Sequence, residues 1–282
     1  MQVCTTVEEL RQARAAMSGR VALVPTMGAL HCGHLAHLYA AREKADHVVV
    51  SVFVNPTQFG PHEDFDRYPR AIDVDVAKCE TAGADLVFAP EVEAIYPPRR
   101  AGVSLTVPGV ADGFEGNERP GHFEGVCRVV LKLFNLVRPD VATFGRKDYQ
   151  QLAVVRAMVE DLMLPIEVVA VPTVREDDGL AMSSRNRYLD DEGRKRARGL
   201  SKALRQAQKM AEDGEPDPAA IEAMMRDVIR AHHIEVDYAA VRHATSLGEL
   251  DSVLPDESVA LVAGRVGGVR LLDNTLLGER LD

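Results

Sequence analysis

Along the chain, short solid hydrophobic runs alternate with stripes of helical spacing. Val7, Leu10, Ala13 and Met17 recur at roughly helical spacing behind Thr6, with Glu9 three residues after Thr6 as in a capping box, so a first helix is predicted over about 6–18. The run 21–24 is stopped by Pro25 and the longer run 47–54 by Asn55-Pro56. Neither alternates as a half-exposed strand does, so both read as buried parallel strands. Leu35, Leu38, Tyr39 and Arg42 lie between them at helical spacing and complete a strand–helix–strand unit.

The rhythm continues. Ile72, Val76 and Cys79 mark a helix, 85–89 a strand, Val126, Val130, Leu133, Phe134 and Val137 a helix, 141–144 a strand, 152–163 a helix and 166–171 a strand ended by Pro172. This order predicts a doubly wound, Rossmann-like parallel sheet with ligands at the carboxyl ends of its strands. The Pro- and Gly-rich stretch 90–122 breaks the rhythm and reads as an excursion over the sheet edge that could wall a site. Beyond about 174 the texture changes. Charged, helically spaced stretches occupy 190–211 and 218–232, and apolar runs flank Gly267-Gly268, where a hairpin is expected. The expected organisation is an N-terminal α/β domain over 1–174 and a smaller α+β domain over 175–282.

With 282 residues, 46% of them hydrophobic, the chain is long enough for one large or two unequal domains with ordinary cores. The 33 Lys and Arg against 43 Asp and Glu leave a formal charge of −10, which opposes binding to nucleic acid or to an anionic membrane surface. An anionic ligand must therefore meet a local basic cluster. No apolar run approaches the ~20 residues that span a bilayer. Residues 1–20 include Glu8 and Glu9 and no continuous apolar stretch, unlike a secretory signal. Cys4, Cys32, Cys79 and Cys127 are scattered without a C-x-x-C pair, as free thiols in a reducing compartment are, and a cytoplasmic location is expected.

Candidate chemistry concentrates where the strand at 21–24 gives way to the next helix, in Pro25-Thr26-Met27-Gly28-Ala29-Leu30-His31-Cys32-Gly33-His34. Unpaired backbone N–H groups and the helix dipole favour phosphate at such a position, and two imidazoles three residues apart share one helical face. They can donate to phosphoryl oxygens as charge develops. A glycine-containing turn with incidental histidines, or a metal face of His31, His34 and His37, fits the same spacing.

These letters resemble the H-x-G-H signature of the nucleotidyl-transferring superfamily. The ordered neighbours make the resemblance specific: Phe53-Val54-Asn55-Pro56-Thr57-Gln58-Phe59, Tyr68-Pro69-Arg70, Arg119-Pro120-Gly121-His122-Phe123, Phe144-Gly145-Arg146-Lys147-Asp148-Tyr149-Gln150-Gln151 and Met182-Ser183-Ser184-Arg185-Asn186. Over essentially its whole length the chain resembles the pantothenate synthetase, or pantoate–beta-alanine ligase, family. The resemblance implies an AMP-forming ligation in which ATP and pantoate give pantoyl adenylate and pyrophosphate, and beta-alanine then takes the acyl group. It implies ATP contacts at Met27, Gly28, Ala29, Leu30, His31, Cys32, Gly33 and His34, at Gly145, Arg146, Lys147 and Asp148, and at Val174, Met182, Ser183, Ser184 and Arg185. His34 would be the proton donor, with His31 and Lys147 completing the catalytic set. Pantoate and beta-alanine would meet Gln58, Gln151, Met27 and Asn55. A magnesium ion would accompany ATP, with Asp75 as its candidate ligand, and the assembly would be a homodimer.

Taken singly, these residues have plainer readings: Lys147 as a solvated lysine, Ser183-Ser184 as a cap, Gln58 and Gln151 as polar loop residues, Asp75 as a surface helix charge. A related nucleotidyltransferase that releases a nucleotide-linked product is the competing function, and a metal- or nucleic-acid-binding protein, suggested by the basic run 194–198, is the competing class. Two departures from the family pattern stand out. Cys32 occupies a position where an acidic residue is common, and Arg146 one where a glutamate commonly precedes the lysine. Cys32 predicts sensitivity to thiol reagents.

Overall fold

The two solid runs become the centre of a parallel sheet. In the computed structural model, which describes residues 1–61, 63, 65–98 and 102–279, the elements of the α/β region are β1 (Gln2–Cys4), α1 (Val7–Ala15), β2 (Val21–Thr26), α2 (Cys32–Arg42), β3 (His47–Val52), α3 (Ile72–Thr81), β4 (Leu86–Phe88), α4 (Val92–Ile95), α5 (Phe114–Glu118), α6 (His122–Val137), β5 (Val141–Gly145), α7 (Tyr149–Asp161) and β6 (Glu167–Val171). The strands lie in the order β1-β4-β3-β2-β5-β6 and every pairing is parallel. On one face Ala22, Val24, Val48, Val50 and Val87 pack with Leu38 and Ala41 of α2 and Cys79 of α3. On β2 the alternate residues Val21 and Leu23 are equally buried, and α6 covers β2 and packs on α1. Burial on both faces is why these strands show no hydrophobic–polar alternation.

Three details differ from the pattern reading. The first helix stops at Ala15 because Ala16 and Met17 tighten into bonds to the carbonyls of Ala13 and Arg14. Strand β1, with one buried residue, carries no pattern of its own and exists through its pairing with β4. Within the excursion 90–122 the described residues include the short helices α4 and α5, while 99–101 lie outside the described residues.

The later chain forms α8 (Asp191–Glu212), α9 (Pro218–Ala231), β7 (Glu235–His243), β8 (Ser258–Val266) and β9 (Val269–Leu276), with an antiparallel sheet ordered β7-β8-β9. The turn at 267–268 joins β8 to β9, as the glycine pair predicts. Leu200, Leu204, Ile221, Met225, Ile229, Val241 and Val262 fill this unit's core. The basic run is structural here: Arg194 pairs with Glu176 and Asp178, and Arg196 donates to the carbonyl of His233. Among the described residues no helix is long and apolar enough to cross a membrane.

The chain forms two compact units, 1–145 with 154–171, and 146–153 with 172–282. The division thus falls at 171/172 rather than 174/175, and the segment 146–153 groups with the later residues. Asn274 donates to the carbonyls of Arg146 and Lys147, and the Tyr149 hydroxyl to the carbonyl of Ala244.

Candidate active site

In the first unit the winding of the sheet reverses at β2, which has β3 on one side and β5 on the other. Ligands of such sheets bind outside the carboxyl ends of the strands at that switch point. β2 runs there into the turn at Met27, and β5 ends there at Gly145.

The Met27 turn is held from behind by a carboxylate. Gly28 and Ala29 both take left-handed backbone conformations, with φ of 84° and 52°. A non-glycine residue there costs on the order of 1–2 kcal/mol and persists only when its surroundings impose it. Asp75, 2% exposed on α3, imposes it: its two oxygens accept from Ala29 N and Leu30 N, each at 2.8 Å. Lys78, one turn further along α3, donates to the Leu30 carbonyl at 2.5 Å. A Cβ on Gly28 would stand 2.8 Å from an Asp75 oxygen, so the close approach excludes any side chain there.

This arrangement corrects the expectation of unpaired amides waiting for phosphate. Gly28 N donates to Thr26 Oγ1, Ala29 N and Leu30 N to Asp75, His31 N to His34 Nδ1 and Gly33 N to His31 Nδ1. These five amides are therefore already paired within the protein. His31 is the N-cap of α2, and the reciprocal bonds of His31 and His34 make a capping box from two imidazoles. A backbone amide can only donate, so each Nδ1 is an acceptor and the proton of each neutral ring sits on Nε2. The rings lie 4.1 Å apart between centroids. Spacing that reads as a catalytic or metal pair is thus also a local cap, a signal hidden because serine or aspartate usually fills that role. His37 Nδ1 is 3.3 Å from Thr143 Oγ1, and among the described residues no group of three or more His, Cys, Asp or Glu could hold a metal ion. Asp75, the magnesium candidate, spends both oxygens on the turn. Cys32 is exposed at the start of α2.

Beyond β3 a second turn carries Asn55 and Gln58, 1% and 8% exposed. Asn55 Nδ2 donates to Gln58 Oε1 at 3.0 Å and to the Gly125 carbonyl at 3.1 Å, and Gln58 Nε2 lies 3.1 Å from the Met27 sulfur. Three expected substrate contacts, Met27, Asn55 and Gln58, are therefore neighbours. Helix α6 presses so closely on this turn that a Cβ on Gly125 would lie 2.2 Å from the Thr57 carbonyl oxygen. Behind Gln58, His122 and Arg119, quoted in a motif but given no role from sequence, form a chain. His122 Nδ1 donates to the Gln58 carbonyl at 2.8 Å, Arg119 donates to His122 Nε2 at 3.0 Å, and Glu63 accepts from Arg119 at 2.6 and 2.8 Å. A carbonyl on one nitrogen and a guanidinium on the other fix His122 as the neutral Nδ1–H tautomer. Burial and the nearby Arg119 charge push its pKa down to about 4, against the opposing pull of its bond to Gln58. Burial raises the Glu63 carboxyl, but the Arg119 hydrogen bond and charge outweigh it and leave the group below its ordinary range.

The second unit carries the remaining candidates. Arg146, Lys147 and Asp148 form a 3-10 turn ahead of α7, and Gln151 is half-buried in that helix. Lys147 Nζ is 3.5 Å from Asp148 Oδ1. Arg146, the departure in charge, pairs with Glu279. Val174 accepts from Met182 N at 2.9 Å, closing a hairpin ahead of Ser183. The Ser183 hydroxyl accepts from Arg185 N at 3.2 Å, so this serine does cap the 3-10 turn Ser184–Tyr188.

A doubly wound parallel sheet whose switch-point strand opens into a capped histidine pair defines an α/β protein of the nucleotide-binding type. The family model described as pantoate-beta-alanine ligase matches residues 2–276. A pantothenate synthetase of Acidothermus cellulolyticus is 53% identical over 275 residues, covering 96% of this chain and 90% of the relative. The crystal structure of pantothenate synthetase from Thermus thermophilus superposes with a TM-score of 0.91 at 48% identity, over 98% of this chain and 99% of that one. A pantoate-beta-alanine ligase from Francisella tularensis, solved with beta-gamma ATP and beta-alanine, matches with a TM-score of 0.82 at 29% identity over 100% of both chains. The chain belongs to the pantoate-beta-alanine ligase family.

Proposed function

We propose that this chain joins pantoate to beta-alanine with ATP, through pantoyl adenylate. A pantoate carboxylate oxygen attacks the α-phosphorus and the bond to the β-phosphate breaks, releasing pyrophosphate. The beta-alanine amine then attacks the acyl carbon, loses a proton as the amide forms, and AMP departs. A carboxylate is a poor electrophile until its oxygen belongs to a good leaving group, and adenylation supplies one.

The observation that carries this reading is the pair of imidazoles at the end of β2, whose Nδ1 atoms are committed to backbone amides so that Nε2–H is the donor of each. Two neutral donors fixed before substrate arrives suit charge developing on phosphoryl oxygens, since no reorganisation is needed during the reaction. His34 is assigned as proton donor with His31 beside it in role. Lys147, with Ser183, Ser184 and Arg185, is assigned to the nucleotide, as are Gly145, Arg146, Asp148, Val174 and Met182. Gln58, held by Asn55 on its oxygen, keeps its NH2 oriented for pantoate, and Met27 offers apolar surface to the substrate's methyls. Gln151 is assigned to pantoate. Magnesium would arrive with the triphosphate, because Asp75 is occupied by the turn and does not fit a metal site. A homodimer and a cytoplasmic location belong to the same proposal.

The decisive experiment is pantoate-dependent exchange of labelled pyrophosphate into ATP without beta-alanine. Exchange is expected. Its absence, with product formed only when all three substrates are present, would overturn the adenylate intermediate.

A further inference from the structure

Within the second unit, one dipeptide of β9 reaches both segments assigned to the nucleotide. Asn274, 5% exposed, donates from Nδ2 to the carbonyls of Arg146 at 2.9 Å and Lys147 at 2.7 Å. Asp273, 3% exposed, receives the Arg175 guanidinium on both oxygens, at 2.7 and 3.0 Å, and accepts the amide of Asn274 at 2.8 Å. Arg175 in turn donates to the Gly179 carbonyl at 3.1 Å and pairs across a short bridge with Ala181. It thereby shapes the hairpin that delivers Met182-Ser183-Ser184-Arg185. Consecutive side chains of a strand point to opposite faces, so adjacent residues on β9 can hold two different loops.

We propose that Asp273 and Asn274 are positioning residues for adenylation, which fix the lysine turn 146–148 and the serine–arginine turn 183–185 to one strand. The proposal rests on the assignment of Lys147 and Ser183 to Arg185 to the nucleotide. Neither Asp273 nor Asn274 need touch substrate. Asp273 holds the Arg175 side chain in a buried bidentate pair and reaches the hairpin backbone through that guanidinium's bond to the Gly179 carbonyl, whereas the two Asn274 NH2 hydrogens bind main-chain carbonyls directly. Holding a reacting group in place matters steeply, since a misplacement of about 1 Å can cost on the order of 10²-fold in rate.

The test compares Lys147→Ala, Asn274→Ala and their double variant by pantoate-dependent pyrophosphate exchange. Asn274→Ala is expected to lower the exchange rate at least ~10-fold, and to add little once Lys147 is already alanine, because it acts through that lysine. Full activity of Asn274→Ala beside a crippled Lys147→Ala would overturn the positioning role. So would strictly multiplicative losses, which a general structural defect produces. Wild-type exchange by Lys147→Ala would instead sink the underlying nucleotide assignment. Asn274→Asp turns an acceptor toward the same two carbonyls and should lower exchange at least as much as alanine. Should both replacements unfold the domain, hydrogen exchange in the wild type decides the matter: the side-chain NH2 protons of Asn274, which make the clamp, are expected to exchange slowly, and fast exchange of them would refute it.

Discussion

The two strand-end turns of the first unit solve the same problem with opposite electrostatics. The turn after β2 is fastened by a buried carboxylate that takes two main-chain amides, so its left-handed backbone is locked by charge. The turn after β3 is fastened mainly by neutral groups, the Asn55 amide and a His122 kept uncharged between a carbonyl and a guanidinium, with a longer 3.4 Å bond from Arg119 to the Gln58 carbonyl beside them. The first turn presents donors for an anion, and the negative charge behind it has its oxygens occupied. The second holds an uncharged amide, and the charge of the Arg119 that reaches its backbone is balanced by Glu63. What differs is where each turn puts its charge, and the difference suggests ways to separate the two.

The largest effect is expected at the first turn. His34→Ala should cut adenylate formation by at least ~10²-fold with the fold intact, the usual scale for a positioned donor. Pyrophosphate exchange near the wild-type rate would remove His34 from the mechanism. Asp75→Ala should lower exchange and also cost about 3 kcal/mol of stability, because it strands two amides in the interior. Asp75→Asn, which keeps one acceptor, should fall between the two in urea unfolding. If the alanine variant were as stable as wild type, the turn would not depend on that carboxylate.

At the second turn the lever is pH. His122 has a folded pKa of about 4 against an ordinary 6.5. The native state therefore resists a proton that the unfolded chain accepts, and stability present above pH 6.5 should decline as pH falls from 6.5 to about 4, by at most about 3 kcal/mol. In His122→Gln the slope of unfolding free energy across that window should flatten, while an unchanged slope would assign it to other groups. Gln58→Ala should raise the pantoate concentration for half-maximal rate and leave that for ATP nearly unchanged. An effect on ATP alone would contradict the division between the turns. The smallest expected effect is at Cys32, where alkylation should inhibit in an ATP-protectable way that disappears in Cys32→Ser. Full activity after complete modification would refute it.

By itself the sequence determined the strand–helix rhythm, the parallel sheet, the hairpin at 267–268 and the two turns that matter, because solid apolar runs, capping letters and short motifs are local signals. Tertiary structure alone decided what holds those turns. Asp75 reads in sequence as a helix charge or a metal ligand, and only the packing of α3 beneath the Met27 turn gives its oxygens to amides. Gly125 is one glycine of a helix until α6 meets the Thr57 carbonyl. The segment 146–153 looks continuous with the α/β region along the chain, and the side chain of Asn274, with the Tyr149 hydroxyl and the Arg146–Glu279 pair, binds it to the later unit. The physical reason is common to all three. A periodic pattern reports which face of an element is buried, but a hydrogen bond between residues far apart in sequence depends on which elements pack together, and many polar residues could have served as the partner.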